Sequence, residues 1–502
     1  MVEIPTLDKR TTIADPVHGH IPITNLEYNL LQIPSVMRLH RIKVMGLAYL
    51  VFPNAQTTRF THCVGTMHIA GKMIVSVIEK MNKNNYKELF GTATPDYLIR
   101  TVRLAGLFHD IGHGPFSHTS EEIMKESMTE KEKEEAKQLF GIKGEENFPS
   151  HEYFTYKIIS EDTDILNLLK GSKIAIEDIL SILFPKMSSS KQWSRVVHPL
   201  ISGNLDADRF DYLLRDSYMT GSVFGQVDIN RIIEGLKIIL VGSGASKRYE
   251  IGVQLKTLGS VEDVWDSRYK MYKWIYGHNL VVIIDYLAER ALYQLLNTKS
   301  VGKEFFHWKS FLKGVCTDDE VLAILFGKIG SQKWRMFKGL KDRRFLPVTL
   351  FKRANDWTAF AREIAQHTGH NTYDDDSVKN IISSMIGKWA NTPKENNKSI
   401  GRAKKGSTSP DLIFEILEGN KIRSPYAPLS QDEEIWFYEN DTEPLPISTV
   451  SLYFRKITEA WKEFQPIYIG YVQSSADQAR TKWKEYKNEI KNKLIDQIVQ
   501  NA

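Results

Sequence analysis

The chain predicts a mainly α-helical protein with small β-hairpins and a smaller mixed α+β region towards its C-terminus. Three observations carry that expectation. From about Asn29 onward, apolar residues recur at three- and four-residue steps, the period of a helix with one buried face. The segment KIILVGSGASKRYEIGVQLK sets a turn-rich centre between two β-rich flanks, as a hairpin does. The tail then carries the strand-like runs EIWFYE, VSLYFRKI and PIYIGYVQ.

Taken in order, residues 1–28 hold Pro5, Pro16, Gly19 and Pro22 around IADPVHGHIPIT, which predicts short extended pieces and turns. NLLQIPSVMRLHRI, HCVGTMHIAGKMIVSVIEKM and PDYLIRTVRLAGLF follow as helices. The third is apolar on nearly all sides around Val102 to Phe108, as expected in the middle of a bundle. Between them, LAYLVFPNAQTTRF reads as a short strand or turn closing on Pro53 and Asn54. The charge run at 129–147, TEKEKEEAKQLFGIKGEEN, predicts a solvated helix or flap. SHEYFTYKII and IEDILSILF resume helices. VVHPLISGNLDADRFDYLLRDSYMTG reads as a helix pair broken near Gly203, and VEDVWDSRYKMYKWIYGHNLVVIIDYLAERALYQLL as helical with a hinge at Gly277. The polar, basic stretch at 391–410 has no apolar period and predicts a linker. In the terminal helix, Trp483, Tyr486, Ile490 and Leu494 form one apolar stripe among lysines, for which core packing is the default account. The expected organisation is a core over 1–300, a helical extension over 301–410 and a mixed region over 411–502.

At 502 residues and 42% apolar content the chain is an ordinary globular protein with room for a large core. A net charge of +5 is small for that length, so affinity for polyanions must come from local clusters. Cys63 and Cys316 make no disulfide framework, which points to a reducing compartment. The start MVEIPTLDKR lacks an apolar signal core and no stretch is long and apolar enough to span a bilayer. A cytoplasmic protein without membrane contact is expected.

The chemistry concentrates in LFHDIGHGPFSH, Leu107 to His118. His109 and Asp110 end the buried helix, and Gly112, Gly114 and Pro115 stop it, so both side chains can face a cavity at the helix end. A neutral imidazole and a carboxylate suit a borderline or hard divalent cation, yet two ligands do not fix one. His62, opening an amphipathic helix, and Asp208, in NLDADRFDYLLRD, are candidates for the rest. In the latter segment Asp206, Asp208, Asp211 and Asp216 lie next to apolar Leu205, Phe210, Leu213 and Leu214, and burying uncompensated acids costs several kcal/mol each. Any one of these residues alone would more readily be a hydrogen-bonded structural group. Three imidazoles around two glycines and a proline have little packing value, however, so His113 and His118 become candidates for phosphate contact and proton transfer.

The order His62, His109-Asp110, Asp208 resembles the ligand set of the HD-domain phosphohydrolases. More narrowly, DPVHGHI, VFPNAQTTRFTHCVGTMHIAG, HDIGHGPFSH, SHEYF and DADRFDYLLRD are similar to the SAM-and-HD-domain deoxynucleoside triphosphate triphosphohydrolases and their bacterial dGTPase-like relatives, from about residue 12 to about residue 290. The resemblance implies an HD helical bundle, here expected without a SAM domain. It implies a divalent metal (Mn, Fe, Mg or Zn) on His62, His109, Asp110 and Asp208, with a second Mg²⁺ accompanying the triphosphate. It implies that metal-activated water attacks the α-phosphorus and releases nucleoside and inorganic triphosphate.

By the same resemblance, Arg59, Arg209 and Arg268 match phosphate contacts, and His113, His118 and His151 match histidines around the α-phosphate, with His118 the proton donor. Glu121 stands where relatives usually have Asp. Tyr212 and Asp216 match residues that receive the 3′-hydroxyl, Tyr276 a tyrosine packed against the sugar, and His278 a further phosphate-side histidine. A homo-oligomer is implied, tetramer or dimer, with an allosteric nucleotide activator between subunits. Two departures stand out. Val44-Met45 replaces a Gln-Leu pair that contacts sugar and base, and Gln32 and His40 replace the acid and arginine of guanine-nucleotide-regulated relatives, so activation of that type is not expected. Two rival readings follow from the residues. One keeps the HD site but acts on another nucleotide or a nucleic-acid end; the other is a nucleic-acid-binding regulator with a vestigial site.

Overall fold

A computed structural model describes residues 8–142, 148–186, 191–328, 337, 340–341, 346–347, 412–417, 434–439, 443–456 and 468–472. The chain groups into two compact units. The first comprises Met1–Trp274, Ala288–Gly327 and Ala427–Ile457; the second comprises Ile275–Leu287, Lys328–Tyr426 and Thr458–Ala502. The mainly helical class with small sheets is as expected.

The first unit opens with the antiparallel hairpin β1 (Lys9–Asp15) and β2 (Gly19–Thr24). Its turn is tied by Asp15 Oδ1, which accepts the Val17 and His18 amides at 2.9 Å each. Thr24 caps α1 (Asn25–Leu30) in a reciprocal capping box with Glu27. The buried Glu27 carboxylate also takes Arg103 at 2.6 Å, which pins the hairpin to the core. The single helix expected over NLLQIPSVMRLHRI is instead three pieces: α1, Pro34–Met37 and a 3₁₀ turn at Arg38–Arg41. Pro34 lacks the amide that continuation needs, and it holds Ile33 in extended backbone. LAYLVFPN forms a 3₁₀ turn at Ala48–Leu50, and the extended pairing nearby is an isolated bridge between Lys43 and Thr58.

Two helices build the centre. α2 (Arg59–Glu79), capped by Thr58, crosses α3 (Pro95–Phe108), capped by Thr94 with Pro95 in the first turn. Leu98, Ile99, Val102, Leu104, Ala105, Leu107 and Phe108 of α3 are each at most 1% exposed, so the helix predicted to be apolar on all sides is indeed enclosed. A buried leucine there contributes roughly 1.5–3 kcal/mol by burial. The charge run folds as α4 (Glu130–Phe140) behind a Thr129–Glu132 capping box, and α5 (Ser150–Glu161) follows. α6 (Ala207–Thr220) begins at the Asp206 cap and lies across α2.

The predicted hairpin is β3 (Leu236–Val241) with β4 (Arg248–Gln254). β4 then pairs in parallel with β5 (Trp436–Tyr438), and β5 pairs antiparallel with β6 (Leu445–Pro446), giving a four-stranded sheet. Within VSLYFRKI the described residues are helical on either side of Ser451 where strand was expected, with Ile447–Val450 in one helix and residues 452–456 in another. Ser451 Oγ accepts the Phe454 amide at 2.9 Å, and this local cap outweighs the β-propensity of Tyr453 and Phe454. The pattern around Gly277 is two helices, α7 (Leu258–Met271) and Asn279–Leu296, joined through a π-helical turn at Tyr272–Tyr276. α8 (Asp318–Lys328) belongs to the first unit as far as Gly327.

In the second unit, Tyr468–Val472 is the middle strand between Leu346–Pro347 and Leu412–Leu417, all antiparallel. The 391–410 stretch and the terminal helix with Trp483, Tyr486, Ile490 and Leu494 lie outside the described residues. Cys63 and Cys316 are free and buried. No helix among the described residues is long and apolar enough to cross a membrane.

Candidate active site

His62 stands on the first turn of α2, His109 and Asp110 at the blunt end of α3, and Asp208 on the first turn of α6. These helix ends meet. His62 Nε2 lies 3.0 Å from Asp208 Oδ1 and 3.4 Å from Asp110 Oδ2, and His109 Nε2 lies 3.6 and 3.3 Å from the same two atoms. Donors held about 2.0–2.2 Å from one ion sit about 3.0–3.4 Å from each other; three of these separations fall in that range and the fourth lies just beyond it, so the group could hold a metal ion.

Both imidazoles are oriented for it. His62 Nδ1 donates to Asp211 Oδ2 at 2.7 Å, and His109 Nδ1 donates to the Gly106 carbonyl at 2.8 Å. That leaves each Nε2 as the metal-facing lone pair, the arrangement in which a carboxylate or carbonyl fixes the tautomer. His109 Nε2 is buried and makes no hydrogen bond among the described residues. Burial works against charging His62, yet Asp110, Asp208 and Asp211 hold its pKa well above the ordinary value. His109 is likewise pushed up to about 9, by Asp110 and Asp208 against burial. In a pocket this acidic the imidazoles take up protons that a cation would displace, so the donor set suits a divalent metal.

Behind His62, Asp211 is saturated. Its carboxylate accepts His62, His18 Nε2 at 2.6 Å, and Arg215 twice at 2.7 and 2.8 Å. Arg215 reaches on to Asp15 of the hairpin turn at 2.7 Å. This network fits because residue 65 is glycine: a Cβ there would lie 1.8 Å from Asp211 Oδ1 and 2.5 Å from Arg215.

Asp110 also faces a second group. Its Oδ1 lies 3.3 Å from His113 Nε2, and its Oδ2 pairs with Arg59, whose Nε donates to Ser117 Oγ at 3.0 Å. Despite burial, Arg59, His109 and His113 hold the Asp110 carboxyl well below the usual range. Glu121 Oε1 accepts both His118 Nδ1 at 2.6 Å and His151 Nδ1 at 3.0 Å, and His113 stacks on His151 at 4.1 Å with 14° between the rings. His113, His118, Glu121 and His151 are close enough to hold an ion. The near-parallel stack, however, keeps the in-plane lone pairs of His113 and His151 from converging, so proton handling suits the quartet better. The His118 side chain is 64% exposed and the others are buried or nearly so, which puts His118 at the mouth. Burial, Arg59 and His151 push His113 down, whereas Glu152 and Glu121 raise His151 against burial. Residue 112 is glycine because α5 passes directly over it: a Cβ would lie 2.2 Å from the His151 carbonyl.

The remaining predicted residues divide. Arg209 is bound to its helix cap, Asp206, at 2.9 Å, and burial lifts Asp206 to about 6 although Arg209 opposes it. Asp216 and Arg268 are 2% and 7% exposed, and Tyr212 is intermediate. Burial raises the Tyr212 phenol, against Arg268 nearby. Tyr276 and His278 belong to the second unit, where the Leu280 amide donates to His278 Nδ1 at 3.2 Å.

Other residues carry the site without having announced themselves as site residues. Asp211 was visible as a buried acid one turn after Asp208; His18, Asp15 and Arg215 lie in the segments DPVHGHI and DADRFDYLLRD, but the sequence assigned no role to them. Arg38, fully buried, donates to the Ile111 and His113 carbonyls at 2.9 and 2.8 Å and lies over the Phe311 ring. Phe116 and Ser117 are consecutive non-glycine residues in left-handed backbone, φ 59° and 55°. Such residues cost on the order of 1–3 kcal/mol each and persist where surrounding contacts impose them.

Comparison with known proteins gives matches over the same part of the chain. Residues 59–216 match the HD domain family model. An uncharacterised protein of Methanocaldococcus jannaschii is 31% identical over 319 residues, 64% of this chain and 55% of that protein. A Dictyostelium discoideum protein named as a homologue of the deoxynucleoside triphosphate triphosphohydrolase SAMHD1 is 28% identical over 282 residues, 56% of this chain and 48% of its own length. The chain thus spans about half the length of these curated relatives. A crystal structure of a hypothetical protein from Aquifex aeolicus superposes with a TM-score of 0.61 at 22% identity, covering 96% of this chain and 99% of that one, which is a likeness of fold.

Proposed function

We propose that the chain, whose residues 59–216 match the HD domain model, is a metal-dependent dNTP triphosphohydrolase, cleaving a deoxynucleoside triphosphate to nucleoside and inorganic triphosphate. The observation that carries the reading is Asp110. One of its oxygens faces the His62, His109 and Asp208 donor set and the other faces His113. A phosphate bound there would touch a cation and a proton-transfer group at once.

The metal, when bound by His62, His109, Asp110 and Asp208, supplies Lewis-acid polarisation and an activated water. The chain's residues do the rest. Arg59 offers a planar guanidinium to paired phosphate oxygens, with Arg209 and Arg268 adding positive charge in a site partly closed to water. His118, anchored through Nδ1 to Glu121, presents Nε2 as the proton donor to the leaving sugar oxygen. Glu121 fixes the orientation of that imidazole, and itself stays ionised because His151 and His118 hold its pKa low against burial. His113 and His151 border the α-phosphate. Tyr212 and Asp216 receive the 3′-hydroxyl. Assembly as a homo-oligomer with a nucleotide activator belongs to the same reading.

The test is a panel of the eight canonical nucleotides, singly and in pairs, with Mn²⁺. Triphosphate release from dNTPs, lost in Asp110→Ala, is the expected result. Mononucleotides released from single-stranded DNA, with no triphosphate from any nucleotide, would transfer the site to nucleic-acid ends. Salt-sensitive nucleic-acid retention without turnover would make the chain a binding protein.

A further inference from the structure

The strained loop that carries His118 is gripped from a distant part of the chain. Asp318, at the first turn of α8 and 1% exposed, uses both carboxylate oxygens on main-chain amides. Oδ1 accepts Phe116 N–H at 2.8 Å and Oδ2 accepts Lys43 N–H at 2.9 Å. The Lys43 carbonyl in turn accepts the Ser117 hydroxyl at 2.7 Å, and that hydroxyl receives Arg59 Nε at 3.0 Å. The contacts close a ring: Asp318, Phe116, Ser117, Lys43 and back to Asp318, with Arg59 attached. Phe116 and Ser117 hold left-handed backbone inside that ring, and His118 is the next residue. A second strap lies alongside, where Arg38 donates to the His113 carbonyl and to the Cys316 carbonyl at 3.4 Å.

An isolated carboxylate buried at 1% exposure is unfavourable unless its oxygens are hydrogen-bonded. Here the partners are two amides whose direction fixes where Ser117, Arg59 and His118 point. A well-packed apolar residue would serve stability as well but could not aim the loop.

We propose that Asp318 is a positioning residue for the phosphohydrolase reaction: it sets the 116–118 loop so that Arg59 and His118 address the same phosphate. The inference rests on the triphosphohydrolase reading above. Its test uses the full chain with Asp318→Asn and Asp318→Ala. Asn keeps the side-chain shape and one acceptor oxygen, so it carries the test should Ala fail to fold.

Amide hydrogen exchange at Phe116 and Lys43 is expected to be slowest in wild type, faster in Asp318→Asn and fastest in Asp318→Ala. In folded protein kcat is expected to fall about 10-fold for Asn and about 100-fold for Ala, with KM within about threefold and bound metal unchanged, since misplacing a reacting group by about 1 Å has effects of that size. Unchanged exchange overturns the proposal. So does faster exchange, or a lower melting temperature, with kcat kept near wild type, for then Asp318 serves stability alone. Should wild type hydrolyse no nucleotide, the triphosphohydrolase reading fails on its own; exchange and calorimetric binding of inorganic triphosphate then decide, and equal affinity in all three chains overturns the clamp.

Discussion

The two halves of the candidate site are built in opposite ways. On the metal side, His62, His109 and Asp208 sit at the ends of α2, α3 and α6, and a buried network through Asp211, Arg215, His18 and Asp15 stiffens His62 from behind. On the proton side, His118 follows a strained two-residue turn, and its partners Glu121 and His151 come from the next helical turn and from α5. Rigid helix ends set ligand spacing with little adjustment, as a metal requires. A loop held by distant hydrogen bonds leaves His118 at an exposed mouth, where the proposed reaction would have it meet a leaving group.

That contrast can be broken from either side. Removing a ligand should have the largest effect. His109→Ala is expected to abolish triphosphate release and bound metal together, measured by turnover and elemental analysis. His118→Ala should separate the two: kcat falls roughly 10²–10⁴-fold, the range for a lost general acid, while metal content stays at the wild-type level.

Asp211→Asn should weaken metal affinity about 10–100-fold, as loss of an orienting partner does, with activity recovering at high Mn²⁺. An equal loss at saturating metal would show that Asp211 does more than orient His62. Gly65→Ala places a methyl group against Asp211 and Arg215 and should lower unfolding stability by about 1–3 kcal/mol, read from denaturant titration.

The smallest effect lies away from both halves. Burial opposes ionisation of Glu132, but the Thr129 amide, Trp308 and His307 hold its pKa down to about 2. A folded pKa below the unfolded value means stability that is present above about pH 4.5 and lost as pH falls towards 2. Glu132→Gln should therefore flatten the acid limb of the stability curve in that window while leaving the metal and proton sides unchanged.

Much of this was legible beforehand for definite reasons. Helical period and capping chemistry are local, so α2, α3 and the β3–β4 hairpin could be read directly. Pro34 was equally local, and a stricter reading of it would have divided the first helical segment. VSLYFRKI misled because the Ser451 cap competes with β-propensity at a range that apolar pattern does not register. HDIGHGPFSH marked the candidate ligand pair because clustered imidazoles have little packing value. Asp318 and Arg38 were invisible: neither sits in a motif, and their partners lie 202 and 75 residues away.

Residue chemistry alone therefore determined which side chains could bind a cation, which could move a proton and which segments coil, because those properties belong to single residues or to one turn of chain. Only the packed structure decided that His62 meets Asp208, that Asp110 looks both ways and that Asp318 grips the Phe116 amide. Convergence depends on where helix axes cross, and crossing is set by the fit of distant surfaces such as Gly65 beneath Asp211.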